Sequence, residues 1–270
     1  FTWKTTSNTR CSKQPANQER EETMKKLKPA ERLIVAADFK PDPNTTQGKN
    51  WVRAQVLALA LALKNTGVYL KVNSGLRANG YDLIQEIQRM GLKVFADLKL
   101  NDIPETMSID GAFLRQVNPD IVTAMCSAGV AALSALKKEL PRTEVLGVTV
   151  LTSLKEDDTK EMFHETVSGA IRNFALVAER AGVDGFICAP TDISVIKGVI
   201  KRSMTLSTPG IRPTWAIVPG DDQNPDRIMT PTKAIKAGAD RIVVGRPITQ
   251  AANPRDAVMR TIEEIASATE

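Results

Sequence analysis

Eight times between Arg32 and Gly245, a short run rich in Val, Ile, Leu and Ala gives way to a longer amphipathic stretch. Runs with no polar residue at alternate positions suit strands buried on both faces, and such strands are parallel because crossover helices cover both sides of the sheet. The predicted strands are Leu33–Ala37, Val68–Val72, Lys93–Leu98, Ile121–Met125, Val145–Leu151, Gly185–Ala189, Thr205–Thr208 and Arg241–Gly245. Helical patterns at Trp51–Lys64, Tyr81–Met90, Val130–Glu139 and Val167–Ala181 lie between them. Eight βα units in about 240 residues is the arithmetic of a single-domain (β/α)8 TIM barrel. A doubly wound open sheet is the structural alternative, but it uses fewer strands and a glycine-rich turn after the first. Here the first strand runs into Asp38-Phe-Lys-Pro-Asp-Pro43, which disfavours a dinucleotide site.

Composition narrows the function classes. With 270 residues, 42% of them hydrophobic, the chain can bury one large core. Its net charge of +5 comes without a polybasic run, so a small anionic ligand fits better than nucleic acid or a membrane surface. The three cysteines, Cys11, Cys126 and Cys188, are far apart and lack metal-ligand spacing, which argues against a disulfide framework or zinc site and for a cytoplasmic protein. His164, the only histidine, rules against a multi-His metal site and reads as a surface helix residue within Lys160-Glu-Met-Phe-His-Glu165. The first 23 residues are polar, contain no apolar signal-peptide run and precede a Met24 that resembles a start codon. Residues 1–28 are therefore expected to be a leader or flexible arm and 29–270 the barrel. No apolar stretch approaches the ~20 residues of a spanning helix.

Barrel enzymes place their chemistry at the carboxyl ends of the strands. Strand one ends at Asp38, strand two carries Lys71, strand three ends in Asp97 and Lys99, and strand five at Thr152 and Ser153; strand seven leads into Pro209-Gly-Ile-Arg212 and strand eight into Gly245-Arg246. Asp97 and Lys99 stand two apart on one strand, so their side chains are expected on one face. Charges buried there need partners. Lys71 from the adjacent strand supplies a second cation and Asp102 follows in the loop, which predicts an alternating Lys, Asp, Lys, Asp array. The alternative reading is a salt-bridge network that only fixes barrel geometry.

The run Asp97-Leu-Lys-Leu-Asn-Asp-Ile-Pro-Glu-Thr106 resembles the signature of the orotidine 5′-monophosphate decarboxylases. Val150-Leu-Thr-Ser-Leu154, Thr208-Pro-Gly-Ile-Arg-Pro213, Gly220-Asp-Asp-Gln-Asn-Pro-Asp-Arg-Ile-Met-Thr-Pro231 and Val244-Gly-Arg-Pro-Ile-Thr-Gln250 resemble the other family blocks, in family order and closest to the bacterial form. The resemblance implies conversion of orotidine 5′-monophosphate to uridine 5′-monophosphate and carbon dioxide without metal or organic cofactor. It implies that Asp38 binds ribose hydroxyls, that Lys71 holds the ribose and orients Asp97, that Asp97 faces the substrate carboxylate and that Lys99 donates the proton. Asp102 would reach across a homodimer interface into the neighbouring site. Thr152 and Ser153 would meet the pyrimidine; Arg212, Gln223, Gly245 and Arg246 would form the phosphate end; Thr106 and Pro209 would complete the substrate-binding set.

Elementary chemistry agrees with that assignment. A phosphate is well served by backbone N–H groups at Gly245 and the forked donors of Arg246, although Gly-Arg-Pro is also an ordinary helix start. The stretch from Pro213 to Met229 is long for a βα loop and reads as a lid in which Trp215, Ile217 and Val218 pack over the ligand and Gln223 clips onto phosphate. After strand four, Thr123-Ala-Met-Cys-Ser-Ala-Gly129 stands where many bacterial relatives carry a His-Ala-Ser run, so Met125 and Cys126 are expected as wall residues. Val72-Asn-Ser-Gly-Leu76 likewise departs from the commoner Val-Gly continuation. Two rivals remain: a metal-dependent sugar-phosphate decarboxylase or aldolase of the same superfamily, and a nucleotide-binding barrel that has lost catalysis.

Overall fold

The computed structural model describes residues 27–41, 48–216 and 229–268. Its strands are the apolar runs: β1 Leu33–Ala36, β2 Tyr69–Val72, β3 Lys93–Leu100, β4 Ile121–Met125, β5 Glu144–Val148, β6 Gly185–Ile187, β7 Thr205–Thr208 and β8 Arg241–Val244. Every residue of β1, β2, β7 and β8 is buried, as continuous apolar runs require. Each strand pairs in parallel with the next, and β8 closes on β1 through Leu33 opposite Ile242 and Val35 opposite Val244. The sheet is a closed eight-stranded barrel, with no open edge left to template aggregation. Compared with the predicted runs, β5 starts one residue earlier and stops three earlier, and β8 ends one residue before Gly245.

Helices return the chain between strands: α1 Gly48–Ala62, α2 Ser74–Asn79, α3 Asp82–Arg89, α4 Pro104–Val117, α5 Gly129–Glu139, α6 Glu156–Phe163, α7 Val167–Ala181, α8 Ile193–Lys197, α9 Pro231–Lys236, α10 Arg246–Thr249 and α11 Pro254–Ala266. Their starts follow capping chemistry. The Thr166 side chain accepts from Gly169 N–H at 3.0 Å to open α7, and Asn253 accepts from Arg255 N–H at 3.1 Å to open α11. His164 is exposed, but it sits just past α6 as its left-handed cap (φ 55°) and not within the helix.

Two apolar layers result. The larger joins outward-facing strand residues such as Leu33, Val35, Leu70 and Val94 to the inner faces of the helices. The smaller fills the barrel with Ile34, Ala36, Tyr69, Phe95, Ile121, Leu146 and Val243. The amino ends of the strands are fastened by a repeated device. Asp120, Asp184 and Asp240, each immediately before an even-numbered strand, accept the backbone N–H of Val94, Val145 and Leu206 on the preceding odd strand at 2.8, 2.8 and 2.9 Å. Two residues before each stands a left-handed turn residue, Asn118, Gly182 or Gly238 (φ 46°, 77° and 102°). With its amino end fastened in this way, the barrel leaves its carboxyl end to build a site.

Candidate active site

A cavity of about 430 Å³ opens at the carboxyl ends of the strands. Ala36, Phe95, Val148, Ile187 and Val243 give it an apolar lining. Asp38 just past β1, Lys71 on β2 and Asp97 and Lys99 on β3 bring charge to one side, and Arg212 and Arg246 bring it from the segments after β7 and β8. Lys71 Nζ lies 3.0 and 2.9 Å from the two carboxylate oxygens of Asp38 and 3.3 Å from Asp97 Oδ2. Lys99 Nζ lies 2.7 Å from Asp97 Oδ1. The array within one chain is therefore Asp38–Lys71–Asp97–Lys99. Lys71 and Asp97 are buried, with side chains 8% and 9% exposed, whereas the Lys99 side chain is 30% exposed beside the cavity. Burial pushes the Asp97 carboxyl up, but the two ammonium groups and a hydroxyl from Thr123 outweigh it and hold the group below the usual carboxylate range.

The expected meeting of Asp97 with Lys99 is present, but simple strand alternation is not its cause. Ala96 pairs with Val122 and Leu100 with Ala124, so the ladder is interrupted between them. Lys99 adopts a left-handed backbone (φ 50°), which costs a lysine roughly 1–2 kcal/mol. This bulge re-aims the side chain at the cavity rim, as bulges beside sites commonly do. Thr123, not singled out from sequence, accepts Lys99 N–H at 3.0 Å and donates to Asp97 Oδ1 at 2.9 Å.

Asp102 corrects the predicted array. It is exposed, its Oδ1 accepts the Ile103 N–H at 2.7 Å, and it does not line the cavity of its own chain. A loop leaving the barrel rim carries it outward before α4. Thr106, in the first turn of α4, also stays outside the cavity lining.

Thr152, Pro209, Arg212, Gly245 and Arg246 all line the cavity; Ser153, one step further along the turn, does not. Arg212 is buried (6% exposed) and Arg246 is exposed as the first residue of α10. A Cβ added at Gly245 would meet Ala36 only at an ordinary 3.7 Å, so packing within the protein does not demand the glycine. Close approach of a ligand to its backbone does supply a reason.

The expected wall residues after β4 are replaced by others. Neither Met125 nor Cys126 lines the cavity; Cys126 is buried on the helix side, its Sγ in the space left by Gly147. Cys188 and Asn73 do line it. Burial pushes the Cys188 thiol far up, as befits a wall group and not a nucleophile. Trp215 is also turned away from the ligand space: the Arg260 guanidinium lies 4.6 Å from its ring centroid, and Thr214 beside it binds Glu264. Gln223, Ile217 and Val218 lie outside the described residues, as does the expected leader up to residue 26. Among the described residues, no three His, Cys, Asp or Glu side chains gather where a metal ion could sit.

A closed parallel barrel with a paired Asp–Lys–Asp–Lys chain, and with arginines and a glycine after β7 and β8, defines an enzyme that acts on a small anionic substrate. Sequence comparison specifies which one. The chain belongs to the orotidine 5′-phosphate decarboxylase / HUMPS family, whose sequence model matches residues 31–261. It is 36% identical over 228 residues to an orotidine 5′-phosphate decarboxylase of Streptococcus equi subsp. zooepidemicus, covering 83% of this chain and 93% of that one. It is 34% identical over 242 residues to that of Afipia carboxidovorans, covering 89% and 97%. The crystal structure of orotidine 5′-phosphate decarboxylase from Lactobacillus acidophilus superposes with a TM-score of 0.70 at 27% identity, over 87% of this chain and 99% of that one.

Proposed function

We propose that this chain is a cofactor-independent decarboxylase that converts orotidine 5′-monophosphate to uridine 5′-monophosphate in pyrimidine biosynthesis. The observation that carries the reading is the Asp38–Lys71–Asp97–Lys99 chain beside a cavity that also holds Arg212, Gly245 and Arg246. Phosphate binds at the Gly245 backbone and the two guanidinium groups, while Thr152 meets the pyrimidine. Asp38 and Lys71 take the ribose hydroxyls. This seats the carboxylate of the pyrimidine next to Asp97 and its ring carbon next to Lys99.

In the reaction, the bond from ring carbon 6 to the carboxylate breaks, its electron pair stays on carbon 6, and carbon dioxide leaves. The ring stabilises that carbanion poorly. The Lys99 ammonium stabilises the developing charge and then gives carbon 6 a proton, which solvent restores to the lysine. Its backbone is already set by the bulge, so little rearrangement accompanies the step. Asp97 adds like-charge repulsion to the departing carboxylate. Both cavity carboxylates are bound by ammonium groups, an arrangement suited to charge placement without a divalent ion.

Asp102 completes the site of a second copy. It projects from a surface on which Ile103, Phe113 and Ile109 are 65%, 55% and 48% exposed, an apolar patch suited to a homodimer interface. A cytoplasmic location follows from the pathway; among the described residues no helix is long and apolar enough to cross a membrane.

The test follows ultraviolet absorbance as orotidine 5′-monophosphate is consumed in the presence of a chelator. Metal-independent turnover is expected. A folded wild-type chain that gives no turnover would falsify the reading.

A further inference from the structure

We infer that Thr123 is a positioning residue for the decarboxylation: through one hydroxyl it pins the β3 bulge to the Asp97 carboxylate and so sets where Lys99 stands. The inference rests on the decarboxylase reading above.

Between the pairs Ala96–Val122 and Leu100–Ala124, three β3 residues, Asp97, Leu98 and Lys99, face a single β4 residue, Thr123. A bulge of this kind leaves backbone groups without their ladder partners. At Lys99 the missing acceptor is replaced by a side chain: Thr123 Oγ1 accepts the Lys99 N–H at 3.0 Å. The hydroxyl has a single hydrogen, and that hydrogen points to Asp97 Oδ1 at 2.9 Å. Thr123 is fully buried, so water does not substitute at either end.

The carboxylate oxygen that receives the Thr123 hydroxyl also receives Lys99 Nζ at 2.7 Å. The Lys99 main chain, through the Thr123 hydroxyl, and the Lys99 ammonium, directly, thus converge on the same oxygen, closing a small ring of hydrogen bonds around a left-handed residue. Neither bond involves the cavity, and Thr123 does not line it. Its action on the substrate is therefore only through Asp97 and Lys99. A valine of the same shape fills the same space but leaves the Lys99 N–H without an acceptor and Asp97 with one donor fewer. The bulge then has no peg, and displacements of about 1 Å at a reacting group can cost on the order of 100-fold in rate.

The experiment compares wild type, Thr123→Val, Thr123→Ala and Thr123→Ser in steady-state turnover of orotidine 5′-monophosphate, with uridine 5′-monophosphate binding by thermal shift to establish that each site is folded. The expected result is a kcat about 10- to 100-fold lower for Val and Ala, KM within about threefold, and recovery by Ser to within about threefold of wild type. An unimpaired Thr123→Val would overturn the proposal. So would a Ser variant as slow as Val, which would assign the effect to the methyl group's packing, or a raised KM at unchanged kcat, which would make Thr123 a substrate contact. If wild type itself does not turn over, the decarboxylase reading falls and takes the proposal with it, a result distinct from an active wild type indifferent to Thr123.

Discussion

The barrel holds buried charges at both ends, and the two ends use them differently. Near the amino ends of the strands, Arg241 Nη1 lies 2.9 Å from Glu144, which also accepts the Thr205 hydroxyl, and the Arg241 guanidinium sits 5.2 Å from the Tyr69 ring centroid. Lys93 lies over the same ring and pairs with Glu31. Each of these charges is paired within the protein, Arg241 with Glu144 and Lys93 with Glu31. At the carboxyl end, Asp97 is held by two lysines and a threonine, yet Lys99 remains partly exposed beside a cavity. An ion pair closed on itself fixes geometry; one with a face turned to a cavity can act on a ligand. The Arg241–Glu144 pair is closed within the protein, whereas the Asp97–Lys99 pair borders a cavity.

Substitutions can break that contrast. The largest effect is expected for Lys99→Ala: turnover falls by at least about 10⁴-fold, since charge stabilisation and proton donation are lost together, as steady-state kinetics will register. At the other end, Arg241→Met leaves the largely buried Glu144 carboxylate without its cationic partner. Chemical denaturation should report about 3–5 kcal/mol of lost stability, with turnover per folded molecule close to wild type. If Arg241→Met instead slowed the folded enzyme while Lys99→Ala unfolded the chain, the division of labour would be reversed.

Arg246→Ala should lower kcat/KM about 10- to 100-fold by removing a charged donor to phosphate, with the loss absent for a substrate fragment lacking phosphate. Mixing Lys99→Ala and Asp102→Ala chains should restore about one quarter of wild-type activity, because half of the randomly paired dimers are hybrids with one of two sites rebuilt. No recovery despite demonstrated subunit exchange would confine Asp102 to its own chain. The smallest effect concerns acid stability. Because the folded Asp97 carboxyl titrates below its ordinary range, its stabilising contribution is complete above about pH 4 and is lost as pH falls through the depressed value. Asp97→Asn should flatten that acid slope in urea midpoints measured from about pH 5 downward.

Much of this was readable in the chain itself. A strand covered on both faces must be apolar at every position, so eight apolar runs located the barrel strands to within a few residues. The polar residues that end those runs, Asp38, Lys71, Asp97, Lys99, Thr152, Arg212, Gly245 and Arg246, all reach the cavity because a barrel gathers its strand ends. Thr123 escaped notice because a threonine in a buried strand has an ordinary explanation in β-propensity. Cys188 lines the cavity and Cys126 does not, because the face a strand-end side chain takes depends on register with its neighbours, which composition does not carry.

Asp97, Lys99 and Asp102 show the division most sharply. Sequence alone determined which groups the β3 segment supplies, since their charge and spacing are local properties. Only the tertiary structure decided how they are used: a bulge against β4 places Lys99 beside Asp97, Lys71 on the adjacent strand completes the array, and the rim loop directs Asp102 to the surface. Those outcomes depend on contacts between segments far apart in the chain, where the energies of pairing and burial are set.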